Sequence, residues 1–183
     1  MIVHILLDLD NVLVNFTKGA AIAHGKSPDY VATSWNFFKD DWGMSTQEFW
    51  AKIHATKDFW TNLEEFPWTD QLLDLVKQRD WTIVTRPSLD ASCYAEKRRY
   101  LQNKFGFDFD DAIFTRKKWL LANNDTLLID DSDDNVQEFY DYGGHAILFP
   151  AYHNANAKYA EDPMSYVLDQ FKLYGLVTES QPA

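Results

Sequence analysis

The stretch Ile2-Val3-His4-Ile5-Leu6-Leu7-Asp8-Leu9-Asp10-Asn11-Val12 decides how the rest of the chain is read. A largely apolar run of this kind, stopped by acidic residues, is what a parallel strand buried on both faces requires. A second run, Leu127–Ile129, stops the same way, in Asp130-Asp131-Ser132-Asp133-Asp134-Asn135. Carboxylates at the carboxyl ends of two parallel strands converge on one crevice, where open α/β sheets bind their ligands. Like charges crowded there repel, and burying them is costly unless a cation or a proton compensates. A hard divalent cation with oxygen ligands, Mg²⁺ above all, is the natural compensation. Together these ends predict metal-assisted chemistry on a phosphate.

Outward from these two runs, Trp81–Val84 and His145–Phe149 read as further strands, with Ala112–Phe114 as a weaker fifth. Helical patterns separate most of them, the alternation of an α/β fold with a Rossmann-like parallel sheet flanked by helices. Thr69–Arg79 sets Leu72, Leu73, Leu75 and Val76 on one face. Asp90–Phe105 is again helical and is stopped by Gly106, while Asn135–Tyr142 is closed by Gly143-Gly144.

Between the first two strands the texture changes. Residues 16–68 are crowded with Trp and Phe and contain no convincing strand, and Ser45 and Glu48 have capping-box spacing ahead of Phe49 and Trp50. This segment is expected to be a small, mostly helical cap, with residues 1–15 and 69–183 forming the core. The tail after Thr178 is expected to fray.

Composition narrows the function classes. With 183 residues, 46% of them hydrophobic, one domain with an insertion suits the chain better than two domains. Seventeen basic against 28 acidic residues give a net charge of −11, which argues against a duplex nucleic-acid binder. It leaves room for a small anionic substrate, because a metal and a few local cations set the potential inside a cleft. Cys93, the single cysteine, rules out an internal disulfide or a cysteine-rich zinc site. No leader pattern and no run near membrane-spanning length is visible, so a soluble, cytoplasmic protein is expected.

The candidate chemistry begins with Asp8 and Asp10. One carboxylate can attack phosphorus while a second, protonatable one serves the leaving oxygen; alone, the pair reads equally as a solvated turn. Asp130 and Asp131 precede the helix start that Asp133, Asp134 and Asn135 would cap, so capping does not explain them. Thr85, ending the strand Trp81–Val84, offers a hydroxyl and free backbone N–H groups for a phosphate; on its own it is an ordinary loop threonine. Lys117 or Lys118, after Arg116, could cross the cleft to neutralise phosphate charge, or begin a solvated helix. Among the cap aromatics, Phe16, Phe59 and Trp60 are the candidates for stacking on a base, and the others are the cap's own core. The five histidines lack metal-ligand spacing and nearby acidic partners, and are assigned structural or surface roles.

In this order, Asp8-Leu9-Asp10-Asn11-Val12, Thr85, Lys117 or Lys118, and Leu128-Ile129-Asp130-Asp131 resemble the haloacid dehalogenase superfamily over Ile2–Pro150. A narrower resemblance is to the 5′(3′)-deoxyribonucleotidase family. It rests on Thr115-Arg116-Lys117-Lys118, Leu128-Ile129-Asp130-Asp131, Glu96-Lys97 ahead of Phe105-Gly106, and Gly143-Gly144-His145-Ala146-Ile147-Leu148-Phe149. Phe16 and Phe59-Trp60 match its aromatic positions. Two departures stand out: Asn11 where a glycine is usual, and Arg86 where serine is frequent.

The resemblance implies an Mg²⁺-dependent phosphomonoesterase acting on deoxyribonucleoside monophosphates. Asp8 would form an aspartyl-phosphate, and Asp10 would serve as acid and then base. Thr85 and Lys118, the preferred lysine, would hold the phosphoryl oxygens. Mg²⁺ would sit among the Asp8 carboxylate, the Asp10 backbone carbonyl and the Asp131 carboxylate, with Asp130 as outer support. Two alternatives remain: a phosphatase of this core acting on a sugar phosphate or a nucleic-acid 3′ end, and a non-catalytic metal- or nucleotide-binding module. Exposed cap aromatics would serve either as a substrate wall or as a homodimer contact.

Overall fold

The computed structural model describes residues 2–177. Five parallel strands form one sheet: β1 (His4–Leu7), β2 (Asp80–Thr85), β3 (Ala112–Phe114), β4 (Thr126–Asp130) and β5 (His145–Leu148), in the order β3-β2-β1-β4-β5. The chain leaves β1 for one side of the sheet and crosses to the other at β4. The carboxyl ends of β1 and β4 therefore flank the topological switch point. Their register sets Leu7 beside Ile129, so Asp8 and Asp130 follow side by side, and the Asp8 N–H donates to the Ile129 carbonyl at 2.9 Å.

The alternation of side chains along the strands builds two cores. Ile5, Leu7, Ile83, Leu127, Ile129 and Ile147 face the larger one, while Leu6, Val84, Leu128 and Ala146 face a smaller one closed by Val136 and Phe139. Those last two lie on a helix, Asp133–Asp141, that packs on β4 and β5. Because both faces are covered, the central strands are apolar through most of their length, and the one polar side chain inside β2, Thr82, is hydrogen-bonded to His4 at 2.8 Å.

The other helices, in chain order, are α1 (Phe16–Ala23), α2 (Phe37–Asp40), α3 (Thr46–Ala55), α4 (Thr69–Val76) and α5 (Ala91–Phe105). Asp133–Asp141 is α6, and α7 is Pro163–Leu173. The capping box is present: the Ser45 hydroxyl accepts from the Glu48 N–H, and the Glu48 carboxylate accepts from the Ser45 N–H. Gly106, at φ 106°, ends α5. The expected strands all appear: Ala112–Phe114 keeps its bounds, and the others have ends shifted by a residue or two. The helix expected over Thr69–Arg79 closes at Val76, and β5 stops at Leu148, although the Phe149 N–H still reaches the Asp130 carbonyl at 2.8 Å. The expectation for the tail after Thr178 falls outside the described residues.

Residues 16–68 carry α1 to α3 and, among the described residues, no strand. The two chain segments that lead into and out of this stretch are zipped together. The Asn15 N–H donates to the Glu64 carbonyl at 2.8 Å, the Phe66 N–H donates to the Leu13 carbonyl at 3.0 Å, and the Thr69 hydroxyl donates to the Leu13 carbonyl at 2.6 Å. Asn11 sits in the left-handed region at φ 56°, a conformation Asn accepts more readily than most residues. Its Oδ1 accepts from both the N–H and the hydroxyl of Thr17, tying the turn after β1 to α1.

Candidate active site

Asp8 continues β1 and is almost fully buried. The ammonium of Lys118, on a 3₁₀ turn over Lys118–Leu121, lies 2.6 Å from both Asp8 Oδ1 and Asp130 Oδ2. Lys117 is exposed. The turn thus delivers the second lysine of the pair to the strand ends and leaves the first at the surface. Asp130 is held from behind: its Oδ1 accepts from the Ser132 N–H at 2.9 Å, and both its oxygens accept from the Asn135 side-chain amide at 3.1 Å. Asp131 lies 2.9 Å, through Oδ2, from His153 Nε2. The Asn154 amide donates to the Asp131 and Phe149 carbonyls, each at 2.8 Å, fixing the loop that carries His153.

One oxygen from each of Asp8, Asp130 and Asp131 falls within 4.8 Å of the others. Burial pushes the Asp8 carboxyl up to about 8; Lys118 pulls it back, while Asp130, Asp131 and Asp10 push it further. Asp131 is also raised, by burial, against the pull of its hydrogen bond to His153. Desolvation opposes the charge on Lys118, but Asp130 and Asp8 outweigh it and hold its ammonium above the usual lysine range. Four carboxylates (Asp8, Asp10, Asp130 and Asp131) face the two buried ammoniums of Lys97 and Lys118 and the imidazole of His153, so with all four ionised they outnumber the ammoniums by two. That deficit, with oxygen donors at this spacing, fits a divalent cation.

Thr85 ends β2 with no exposed surface, and its hydroxyl accepts from Lys97 Nζ at 2.7 Å. Lys97 also bonds the carboxylate of Asp10. The side chain of Asp10 thus turns toward α5, away from the cluster of Asp8, Asp130 and Asp131. Its other oxygen, Oδ1, is buried without a hydrogen-bond partner among the described residues.

These groups open on a cleft of about 560 Å³ whose wall runs from Asp8, Asp10 and Asp131 to aromatic residues of α1 and α3. Phe16 and Trp60 both reach it. They stack on each other at 5.4 Å between centroids and 16° between planes, and Trp50 stands 6.0 Å from Phe16. Phe59 lies behind them, edge-on to both rings and outside the cleft wall. No ring fits between Phe16 and Trp60 at this separation, so a flat ligand would lie against the cluster rather than inside it.

Trp35, Trp50, His54, Arg86, Arg116 and His153 line the cleft too; the sequence assigned none of them a role in the site, and marked Arg86 only as standing where serine is frequent. His153 departs from the expectation for the histidines. Its acidic partner lies 22 residues away along the chain, where local spacing gives no signal.

A β3-β2-β1-β4-β5 sheet with acidic ends on both strands of its switch point, a buried lysine bridging them and a strand-end threonine alongside defines a haloacid dehalogenase-type hydrolase. The chain matches the family model described as 5′ nucleotidase, deoxy (pyrimidine), cytosolic type C protein over residues 1–166, and it belongs to that family. It is therefore a hydrolase, a nucleotidase-like phosphatase.

Similar solved structures include a haloacid dehalogenase family hydrolase from Deinococcus radiodurans R1 with bound phosphate and sodium. It is 13% identical, with a TM-score of 0.57, covering 100% of this chain and 99% of that one. A predicted phosphatase from Clostridium acetobutylicum is also 13% identical, at a TM-score of 0.57 and coverage of 95% and 100%. The putative hydrolase YfnB of Bacillus subtilis, bound to magnesium, is 14% identical at a TM-score of 0.51, with coverage of 79% and 85%. At these identities the likeness speaks for the fold. No curated protein sequence matches.

Proposed function

We propose that this phosphatase removes phosphate from deoxyribonucleoside monophosphates with the help of Mg²⁺, in the cytoplasm. The observation that carries the reading is a single cleft with Asp8, Asp10 and Asp131 at one end, Lys118 and Asp130 buried beside Asp8, and Phe16, Trp50 and Trp60 along its wall. A phosphate at the first end leaves the base of a mononucleotide within reach of the second. The family description, which names deoxy pyrimidine 5′ nucleotides, points the same way. Residues 16–68 act as the cap over this cleft.

Mg²⁺ would be held by the carboxylates of Asp8 and Asp131 and by the Asp10 backbone carbonyl. Bound there, it supplies positive charge to the phosphoryl oxygens and lowers the pKa of Asp8, so that the nucleophile is ionised. Asp130 supports from behind, since its oxygens already receive Lys118, Ser132 and Asn135. An Asp8 oxygen attacks phosphorus as the bond to the leaving nucleoside oxygen breaks, and that oxygen takes a proton from Asp10. Water then attacks the aspartyl-phosphate and gives a proton back to Asp10, releasing phosphate and restoring both carboxyl groups. Lys118 and the Thr85 hydroxyl hold phosphoryl oxygens throughout.

The test is phosphate release from a panel of deoxy- and ribonucleoside monophosphates and sugar phosphates, with Mg²⁺ and with EDTA. Release confined to nucleotides and lost with EDTA is the expected result. Release from sugar phosphates alone would discard the base-stacking role and keep the acidic cluster.

A further inference from the structure

Lys97 is an anomaly in a helix interior. It lies on α5, only 1% exposed, where an ammonium is costly to bury unless each of its hydrogens finds an acceptor. Its three hydrogens have three acceptors: Asp10 Oδ2, Thr85 Oγ1 at 2.7 Å and the Arg86 carbonyl at 3.3 Å. Its remaining side faces the ring of Trp60, 4.7 Å from the centroid. The neighbouring Glu96 fixes that same tryptophan, accepting from its backbone N–H at 2.9 Å. With its donors spent, Lys97 has none left for a phosphoryl oxygen.

We propose that Lys97 is a positioning residue that selects which oxygen of Asp10 exchanges protons with the leaving group and with water. By occupying Oδ2 it leaves Oδ1, which has no hydrogen-bond partner among the described residues, as the oxygen that exchanges the proton, and a bound substrate must displace the atoms that now cover it. By donating to Thr85 Oγ1 it also makes that hydroxyl spend its single hydrogen elsewhere, on a phosphoryl oxygen. The pair Glu96-Lys97 thereby ties the acid–base carboxylate and the phosphate seat to the aromatic wall at Trp60. This role rests on the phosphatase reading above and extends it to a residue outside the strand-end cluster.

Leaving groups separate this role from simple support of the fold. An alkoxide needs a proton as it departs, whereas p-nitrophenolate leaves without one. kcat/KM is measured for p-nitrophenyl phosphate, phenyl phosphate and alkyl phosphates, nucleoside monophosphates among them, in the Mg²⁺-loaded enzyme. Lys97→Met is expected to lose about a hundredfold or more on the alkyl esters and less than about tenfold on p-nitrophenyl phosphate. Lys97→Gln, which keeps one donor and drops the charge, serves if the methionine variant folds poorly.

In an Asp10→Asn background, adding Lys97→Met should leave the alkyl-to-aryl ratio unchanged, because the proton donor is already gone. An equal loss on every ester, or none, overturns the proposal while leaving the phosphatase intact. Absence of turnover in the wild type on the whole series would overturn the phosphatase reading, and this role with it.

Discussion

At the level of single residues, Asp8 carries conflicting demands. Its carboxylate is desolvated and surrounded by other acids, so as a folding element it is unfavourable, whereas the proposed mechanism requires it as the nucleophile. Asp8→Asn is expected to lower turnover on the order of a thousandfold or more, since an amide cannot form the acyl-phosphate. The metal-free thermal midpoint at pH 8 should stay or rise; a clear drop would show that Asp8 supports the fold. Asn11 gives a second test. Asn11→Val places a β-branched residue at φ 56° and severs both bonds from Thr17, so a stability loss of about 2 kcal/mol or more is expected by thermal unfolding. Retained stability would mean that the turn relaxes at no cost.

What could be read at this scale followed from position. Asp8, Thr85, Asp130 and Asp131 end strands, where a polar residue after an apolar run is conspicuous. Lys97, His153 and Asn154 reach the site from a helix interior and a loop, and nothing in their local spacing distinguishes them from surface residues. The resemblance already favoured Lys118 over Lys117, and the physical reason became legible once the 3₁₀ turn set their directions.

At the level of elements, strands were legible in type and less so in extent, because hydrophobic periodicity reports burial while ends depend on hydrogen bonds the sequence does not show. The packing of α6 onto β5 leaves no room at Gly144. A Cβ there would come within 2.2 Å of Phe139 Cε1 and 3.0 Å of Ala122 Cβ, and Phe139 is fully buried. Gly144→Ala should therefore cost about 1–3 kcal/mol in denaturant unfolding. An unchanged midpoint would show that α6 shifts freely.

In the aromatic wall, the sequence marked Phe16, Phe59 and Trp60, of which Phe16 and Trp60 face the cleft. Phe59 packs behind, and Trp50 takes a place at the surface of the wall. Phe16→Leu and Trp50→Leu avoid the cavity that Trp60→Ala would leave beneath Lys97. Each should raise KM for nucleotides by about five- to a hundredfold while changing p-nitrophenyl phosphate little, given stacking worth roughly 1–3 kcal/mol per base. Equal effects on both substrates would remove the stacking role.

At the level of the whole molecule, the charge balance makes stability depend on pH and on metal together. The carboxyl of Asp8 is shifted upward from 3.8 to about 8 on folding. Between those values the folded state keeps a proton that the unfolded chain has released, so stability falls as pH rises through the window. Asp131 shifts in the same direction. The metal-free thermal midpoint should decline from pH 5 to pH 8, and Mg²⁺ should raise it more at pH 8, where it displaces fewer protons. An Mg²⁺ effect that is flat across this range would speak against a metal site on the carboxylates of Asp8 and Asp131. The net charge of −11 argues against a duplex binder from the sequence alone, but the local balance of acids and ammoniums at the switch point needed the fold. Among the described residues, no helix is long and apolar enough to cross a membrane.

The central place of β1 has a consequence for how the chain is made. His4 to Leu7 pair with Asp80–Ile83 on one side and Thr126–Ile129 on the other, so the strand made first has neighbours that are made much later. At about 5–20 residues per second, the ribosome needs roughly 6–24 s to carry synthesis from β1 to β4. Through that interval Ile5, Leu6 and Leu7 are an apolar strand with a bare edge, the kind of segment that chaperones hold and that aggregates in their absence. Asp8, the proposed nucleophile, emerges from the ribosome attached to that strand, and Lys118, Asp130 and Asp131 follow only near the end of the wait. Protein truncated by stalled synthesis before β4 would thus carry Asp8 without a site, and its yield should depend on chaperone supply far more than that of the finished chain.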